Sequence, residues 1–228
     1  PTGWTNGNVT VTLPTISGFT TRYTTNGTKP ATSSTAYSSS FKVSSNCTIT
    51  YIYTDGTNIG GAGTLNITNI DTLKPNDFTP TATSTTNSIT VKASTTDADA
   101  TSTSGKSGIS GYRFRLDSGS WTGYQTSGEY TWSNLTQTTN HTITVEAKDT
   151  AGNTRKGTVS KGTGTIETAS GGSFSPTGWT NGNVTVTLPT KSGFTTRYTT
   201  NGTKPSTSST AYSSSFTVSS NCTITYIY

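Results

Sequence analysis

Residues 1–15, PTGWTNGNVTVTLPT, return unchanged as residues 176–190. Inside this stretch Val9, Val11 and Leu13 alternate with Thr10 and Thr12, the two-residue period of a strand with one buried face. Pro14 has no N–H to give a ladder and ends the strand. The match continues from Pro1–Tyr53 against Pro176–Tyr228, with only Ile16/Lys191, Ala31/Ser206 and Lys42/Thr217 differing. Solenoid repeats span roughly 20–50 residues, so a repeat longer than this marks an array of whole domains. The order is A, B, A′, one unlike domain between two near-identical ones. The first copy runs on through TDGTNIGGAGTLNITNID to Asp71, and its LNITNI reads as a closing strand. The second reaches Tyr228 without that segment. Its last strand is expected either from sequence beyond Tyr228 or from another chain.

Composition narrows the class. Leu, Ile, Val and Phe make up about 15% of the 228 residues, below the level of ordinary globular domains. Disorder would also require high net charge and few aromatics, whereas the charge is +5 and aromatics are 10%. Thin-cored, folded β-domains with Thr-, Ser-, Asn- and Gly-rich surfaces follow. The pI of 9.2 comes without any run of Lys or Arg, and a nucleic-acid partner would need such a stripe. Cys47 and Cys222 stand at equivalent places, one per copy, so no disulfide forms within a copy. Both share the strand phase of Ile49 or Ile224 and read as small buried hydrophobes. No apolar run reaches the ~18 residues of a membrane helix, so export or anchoring is expected from sequence outside these residues.

After the first strand, FTTRYTT places Phe19, Thr21 and Tyr23 on one face and Arg22 on the other. Asn26-Gly27 is a turn signal, and FKV and CTITYIY supply further strands. Asp71-Thr-Leu-Lys-Pro75 reads as a linker, because Pro75 extends Lys74. The middle domain alternates in SITVKAS (Ile89, Val91, Ala93), YRFRL (Tyr112, Phe114, Leu116), EYTW (Tyr130, Trp132) and HTITVEAKD (Ile143, Val145, Ala147). That spacing suggests a β-sandwich. Arg113, Arg115, Glu146 and Lys148 take the solvent phase of their strands, where Arg–Glu pairing across strands is expected. A Gly/Ser stretch, Ala169 to Ser175, leads to the second copy.

The segment RYTTNGTKPATSSTAYSSSFKVSSNCTITYIYTDGTNIGG is similar to the chitobiase/β-hexosaminidase C-terminal domain family. The likeness spans Val9 to Ile70 and recurs at Val184 to Tyr228, with Asn26 where Asp is common and Ser40 where Pro often precedes the Phe. It implies a small Ig-like sandwich used as an accessory module, with no catalytic residue to carry over. GISGYRFRLDSGSW and YTWSNLTQTTNHTITVEAKDTAGN resemble fibronectin type III or bacterial Ig-like domains of large surface proteins, over Thr79 to Ile166. That resemblance implies a spacer or adhesion domain.

Few residues offer chemistry. His141 is the only histidine, so a Ser-His-Asp triad has no other choice; its phase makes it a partly buried ring at a strand end. HExxH, GxSxG, GxGxxG and CxxC motifs are all missing. Asp97 and Asp99 in TTDADATSTSGKSG, with Asp71 at the A/B boundary, are candidates for Ca²⁺, which takes oxygen ligands. Asp also favours turns by capping backbone N–H groups. Trp4, Trp121 and Trp179 are candidates to stack on a glycan, against the reading that Trp4 and Trp179 plug domain ends. Lys92, Asn153 and Glu146 are the residue types of an isopeptide cross-link, but Lys92 and Glu146 lie on the solvent phase.

The expected fold is all-β: tandem Ig-like or fibronectin-like β-sandwiches at residues 1–71, 72–168 and 176–228, with 169–175 as linker. The expected function is a structural or adhesive segment, a stalk or fibre, of a long extracellular bacterial repeat protein or phage fibre, and not an enzyme. Its partners are neighbouring domains, other copies of the chain, or a surface glycan or protein receptor. The rivals are a glycan-binding accessory module of a secreted enzyme, and a filament subunit completed by a neighbour's strand.

Overall fold

Every regular element is a strand in the computed structural model, which describes residues 2–228. The first repeat supplies β1 (Val9–Val11), β2 (Thr20–Thr24), β3 (Thr35–Ala36), β4 (Phe41–Val43), β5 (Cys47–Thr54) and β6 (Gly63–Ile67). They form a two-stranded sheet, β1-β4, and a four-stranded sheet, β3-β2-β5-β6, with every pair antiparallel. The alternation read in NVTVTL puts Val11 and Leu13 into a core with Ile49 of the other sheet, closed by Tyr23, Phe41, Val43 and Ile67. Tyr23 stacks on Phe41 with ring centroids 4.5 Å apart, and such pairs add roughly 0.5–1.5 kcal/mol beyond their burial.

One local expectation is corrected, and one strand is buried beyond what its alternation shows. Phe19 stands half exposed in the turn before β2, its N–H bonded to the Ile16 carbonyl, and does not share the buried face of Thr21. β5 is buried on both faces, because Thr50 and Thr54 donate to the Gly27 and Asn58 carbonyls of crossing loops while Ile52 is fully buried beside them. Asn26-Gly27 does turn the chain, with Gly27 at φ 78°.

The middle segment supplies β7 (Thr81–Ser84), β8 (Ile89–Lys92), β9 (Ile109–Leu116), β10 (Glu129–Trp132), β11 (Asn140–Asp149) and β12 (Thr154–Gly162). Its sheets are β10-β8-β7 and β12-β11-β9. Ile89, Val91, Tyr112, Phe114, Ile143, Val145 and Ala147 are its buried core, the residues the two-residue period selects. The second repeat supplies β13 (Ser173–Ser175), β14 (Val184–Thr187), β15 (Arg197–Thr199), β16 (Thr210–Ala211), β17 (Phe216–Val218) and β18 (Thr225–Ile227), in sheets β13-β14-β17 and β16-β15-β18. The chain is thus all-β, built of small Ig-like sandwiches.

Packing divides the chain once, into Pro1–Thr163 and Gly164–Tyr228. The junction expected near Asp71 therefore lies inside one compact unit. It is a bonded seam: Asn46 N–H donates to Thr103 O and Gly105 N–H to Ile70 O, both at 2.7 Å. Trp4 lies so close over Gly105 that a Cβ there would run into its ring.

Candidate metal centre

Three carboxylates converge in that seam. Asp71 follows the buried Ile70 at the end of the first sandwich, Asp97 lies in the loop from β8 to β9, and Asp149 ends β11. Their relative exposures are 0%, 3% and 1%. One oxygen from each lies within 4.8 Å of the others. Two ligands on opposite sides of an ion at ~2.4 Å are about 4.8 Å apart, so one cation can reach all three.

The surroundings fix each carboxylate. Asp71 accepts from Leu73 N–H (3.1 Å), the Ser104 hydroxyl (3.3 Å) and Ser107 N–H (2.9 Å). Asp97 accepts from Ala98 N–H at 3.0 Å and Gly108 N–H at 2.6 Å. Asp149 accepts from Gly152 and Asn153 N–H at 2.7 and 2.8 Å, and from the Asn153 side-chain amide at 2.8 Å. That amide also donates to the Asp71 carbonyl at 2.8 Å, tying the β11–β12 turn to the first sandwich. Among the described residues no Lys, Arg or His forms an ion pair with any of the three. Burial raises the Asp97 carboxyl above its ordinary value; the Gly108 N–H opposes this, and the charges of Asp71 and Asp149 add to the rise. An all-oxygen, all-carboxylate set suits a hard cation of the Ca²⁺ or Mg²⁺ type rather than zinc, which favours N and S ligands.

Of the three aspartates picked from sequence, the fold brings Asp71 and Asp97 together and leaves Asp99 out. Asp99 points to solvent and pairs with Lys106 at 2.8 Å, which holds it below the ordinary carboxylate range. Sequence reasoning missed Asp149, although a signal was present. Ile143, Val145, Ala147 and Asp149 share the inward phase of β11, so a carboxylate ends a core-facing row.

The tryptophans are in three different settings. Trp4 packs on Gly105 in the seam. Trp121 lies under Arg113, Arg115 and Lys156, with the Arg113 guanidinium 4.7 Å from its ring centroid. Trp179 is fully exposed, at 104%.

Glu146 corrects another expectation, for it is 3% exposed rather than on a solvent face. Arg113 pairs with it at 2.6 Å, as the strand register predicts, and the Tyr124 hydroxyl donates to it at 2.5 Å. Trp121 and Tyr124, from the β9–β10 connection, roof that face with cation–π contacts to Arg113. The isopeptide residues do not meet: Lys92 pairs with Glu129, and Asn153 with Asp71 and Asp149.

His141 is a largely buried ring whose Nδ1 lies 2.7 Å from Asp117 at the base of β11. Cys47 is half-buried, which pushes its thiol up, whereas Cys222 is exposed, contrary to its expected burial.

The sequence model of the chitobiase/β-hexosaminidase C-terminal domain matches residues 1–62 and 175–228, together just over half of the chain. The chain belongs to that family. It is an accessory or structural module of the kind that name describes. No curated protein matches the sequence. Among solved structures the chain is similar to chitinase ChiA74 from Bacillus thuringiensis, at 20% identity and a TM-score of 0.29 over 57% of this chain. It spans 17% of that chitinase's length. It is also similar to the fibronectin(III)-like modules of Clostridium thermocellum CbhA (18% identity, TM-score 0.34, 71% of this chain and 88% of that one). A third likeness is to the FN1-FN3 domains of chicken CNTN1 (15% identity, TM-score 0.32, 72% and 62%).

Proposed function

We propose that the chain is a stalk segment of an extracellular repeat protein, whose first two sandwiches are clamped into one rigid piece by a divalent cation, Ca²⁺ in the first instance. The observation that carries this reading is the meeting of Asp71, Asp97 and Asp149, fully buried, from three separate segments of the seam. Buried carboxylates without a cation repel one another and resist desolvation. A bound divalent ion removes both costs and couples its affinity to the docking of the two sandwiches. The chain's partners are then the domains that flank it, and the function is reach and stiffness.

Calcium titration against urea unfolding tests this. Free Ca²⁺ at one hundred times its Kd stabilises the first unit by about 2.7 kcal/mol; Asp149→Asn and Asp97→Asn abolish the gain, and Asp99→Asn keeps it. Stability that ignores both Ca²⁺ and chelator sinks the clamp.

A second reading, an accessory module attached to a secreted glycosidase, draws support from the family match. On that reading the exposed Trp179 is the aromatic free to meet a sugar face, since three cations lie over Trp121. Chitooligosaccharide binding lost in Trp179→Ala and kept in Trp121→Ala is the expected signature. Equal binding by both variants refutes it.

A further inference from the structure

The outer face of the sheet β12-β11-β9 gathers cations that lie far apart in sequence. Phe114, Val145 and Val159 point into the core, so the opposite phase of the same strands turns Arg113, Arg115, Glu146, Lys148, Lys156 and Thr158 outward. Register fixes their array. Glu146 is flanked by Arg113 and Lys156, and Thr144 by Arg115 and Thr158, with Lys148 one step further along β11. The one carboxylate among these cations, Glu146, meets Arg113 at 2.6 Å and Lys156 at 3.5 Å. Asp117, beyond the end of β9, turns away to the His141 ring and the Thr142 N–H. The β9–β10 connection then folds over the array. Thr122 exchanges hydrogen bonds with the backbone of Phe114, and Gln125 with that of Tyr112. This holds Trp121 against Arg113, Arg115 and Lys156, and Tyr124 against Arg113 and Lys148.

Charge on this face is left unmatched. Among the described residues, Arg115 and Lys148 pair with no carboxylate. Arg115 is half-buried, its guanidinium carbon lies 4.9 Å from the Trp121 ring centroid, and its Nε is buried without a hydrogen-bond partner. Its two terminal nitrogens are not among the buried atoms and donate to nothing in the chain, so an outside acceptor can take both. A planar carboxylate matches that fork with two parallel hydrogen bonds. Thr158 and Ser160 stand exposed along β12 beside it and add hydroxyls. Tyr124 remains 38% exposed and offers an aromatic surface at the other end of the face.

We propose that this face binds an acidic polysaccharide, a glycan that carries carboxylates on its sugar rings. Arg115 takes one carboxylate through its fork. Lys148 and Lys156 attract the neighbouring acidic groups, and the exposed hydroxyls of β12 meet those of the sugar. Trp121 is a positioning residue, which holds the guanidinium groups in place by cation–π contact. Charge complementarity selects this occupant over a neutral glycan. Nucleic acid fits less well, because a phosphate backbone is followed by a stripe of Lys and Arg, whereas these cations cluster around Glu146. The Trp121 ring is also taken by cations rather than open to a stacking base. The site shares no residue with the carboxylate seam and stands whether or not a cation binds there.

The probe is tetragalacturonate, titrated calorimetrically into the whole chain at low salt, with its methyl ester as the neutral control and an oligothymidylate of equal length as the nucleic-acid control. The acid is expected to saturate, to bind at least about tenfold more tightly than the ester, and to weaken as added salt screens the face. Arg115→Gln is expected to weaken it by at least about tenfold, the scale of a lost charge-assisted hydrogen bond. Because Arg115 pairs with no carboxylate, this variant leaves no acid unpartnered, and its urea midpoint is expected to match that of the unaltered chain. Lys156→Gln, a change at the surface, is expected to weaken binding as well, and it decides the matter if Arg115→Gln lowers the midpoint. Lys29→Gln, on the first sandwich, is expected to leave binding as it was. The proposal falls if the acid does not saturate by about 5 mM, if acid and ester bind alike, or if the oligothymidylate binds more tightly than the acid. It falls equally if Lys29→Gln costs as much as Arg115→Gln, or if Lys156→Gln binds undiminished.

Discussion

At the scale of single residues, Glu146 illustrates how burial and partnership set a charge. Burial alone would raise its carboxyl, but the hydroxyl of Tyr124 and the charges of Arg113 and Lys156 outweigh it and hold the group below its ordinary 4.5. The stability it confers is therefore present above that value and is lost as pH falls through the lowered one. Tyr124 answers at the opposite end of the scale. Burial, then the hydrogen bond to Glu146 and its charge, lift the phenol from 10.0 to about 12. A folded value above the unfolded one stabilises fully below pH about 10, and that contribution disappears as pH rises to about 12. Urea unfolding at a series of alkaline pH values should show wild-type stability falling more steeply across this window than that of Tyr124→Phe. Parallel slopes would remove the Tyr124–Glu146 bond from the account.

At the scale of elements, the two repeats form a built-in comparison. The same Asn, at 46 and at 221, is a bracket for Ile70 in one copy and an exposed side chain in the other. Asn46→Ala strips the Ile70 N–H of its partner and leaves the Ile70 carbonyl with Gly105 N–H alone, a loss of about 1–3 kcal/mol for the buried N–H left unpaired. Asn221→Ala at the surface is expected to cost less than about 0.5 kcal/mol. Denaturant midpoints of the two variants check the contrast, and equal losses would show that the bracket does not secure β6. The strands themselves were legible beforehand, because Val9, Val11 and Leu13, or Ile143, Val145 and Ala147, are patterns within a few residues. Phe19 was not, since a turn before β2 turns it out of phase. Nor was the burial of Ile52, on the face where Thr50 and Thr54 donate to the Gly27 and Asn58 carbonyls.

At the scale of the molecule, packing divides the chain into two units, and both hydrophobic clusters and the three carboxylates belong to the first. Calorimetry is expected to resolve two transitions, with added Ca²⁺ raising the one of Pro1–Thr163 and leaving that of Gly164–Tyr228 in place. A single transition that moves as a whole would contradict the division. The candidate site was half legible. Asp71 and Asp97 stood out as acidic residues at a boundary and in a turn, whereas Asp149 was hidden at the end of HTITVEAKD, read only as a strand. Asp99 shares the composition of its neighbourhood but faces water and Lys106.

The sequence by itself determined that this chain is all-β, that one sandwich type occurs twice around a different one, and which alternating residues enter each core. Those properties are local, set by the two-residue period and by repetition. Only the tertiary structure decided that Glu146 is roofed over and that three aspartates meet in one seam. Burial is conferred by whatever packs on a face, and that covering segment need not be near in the chain.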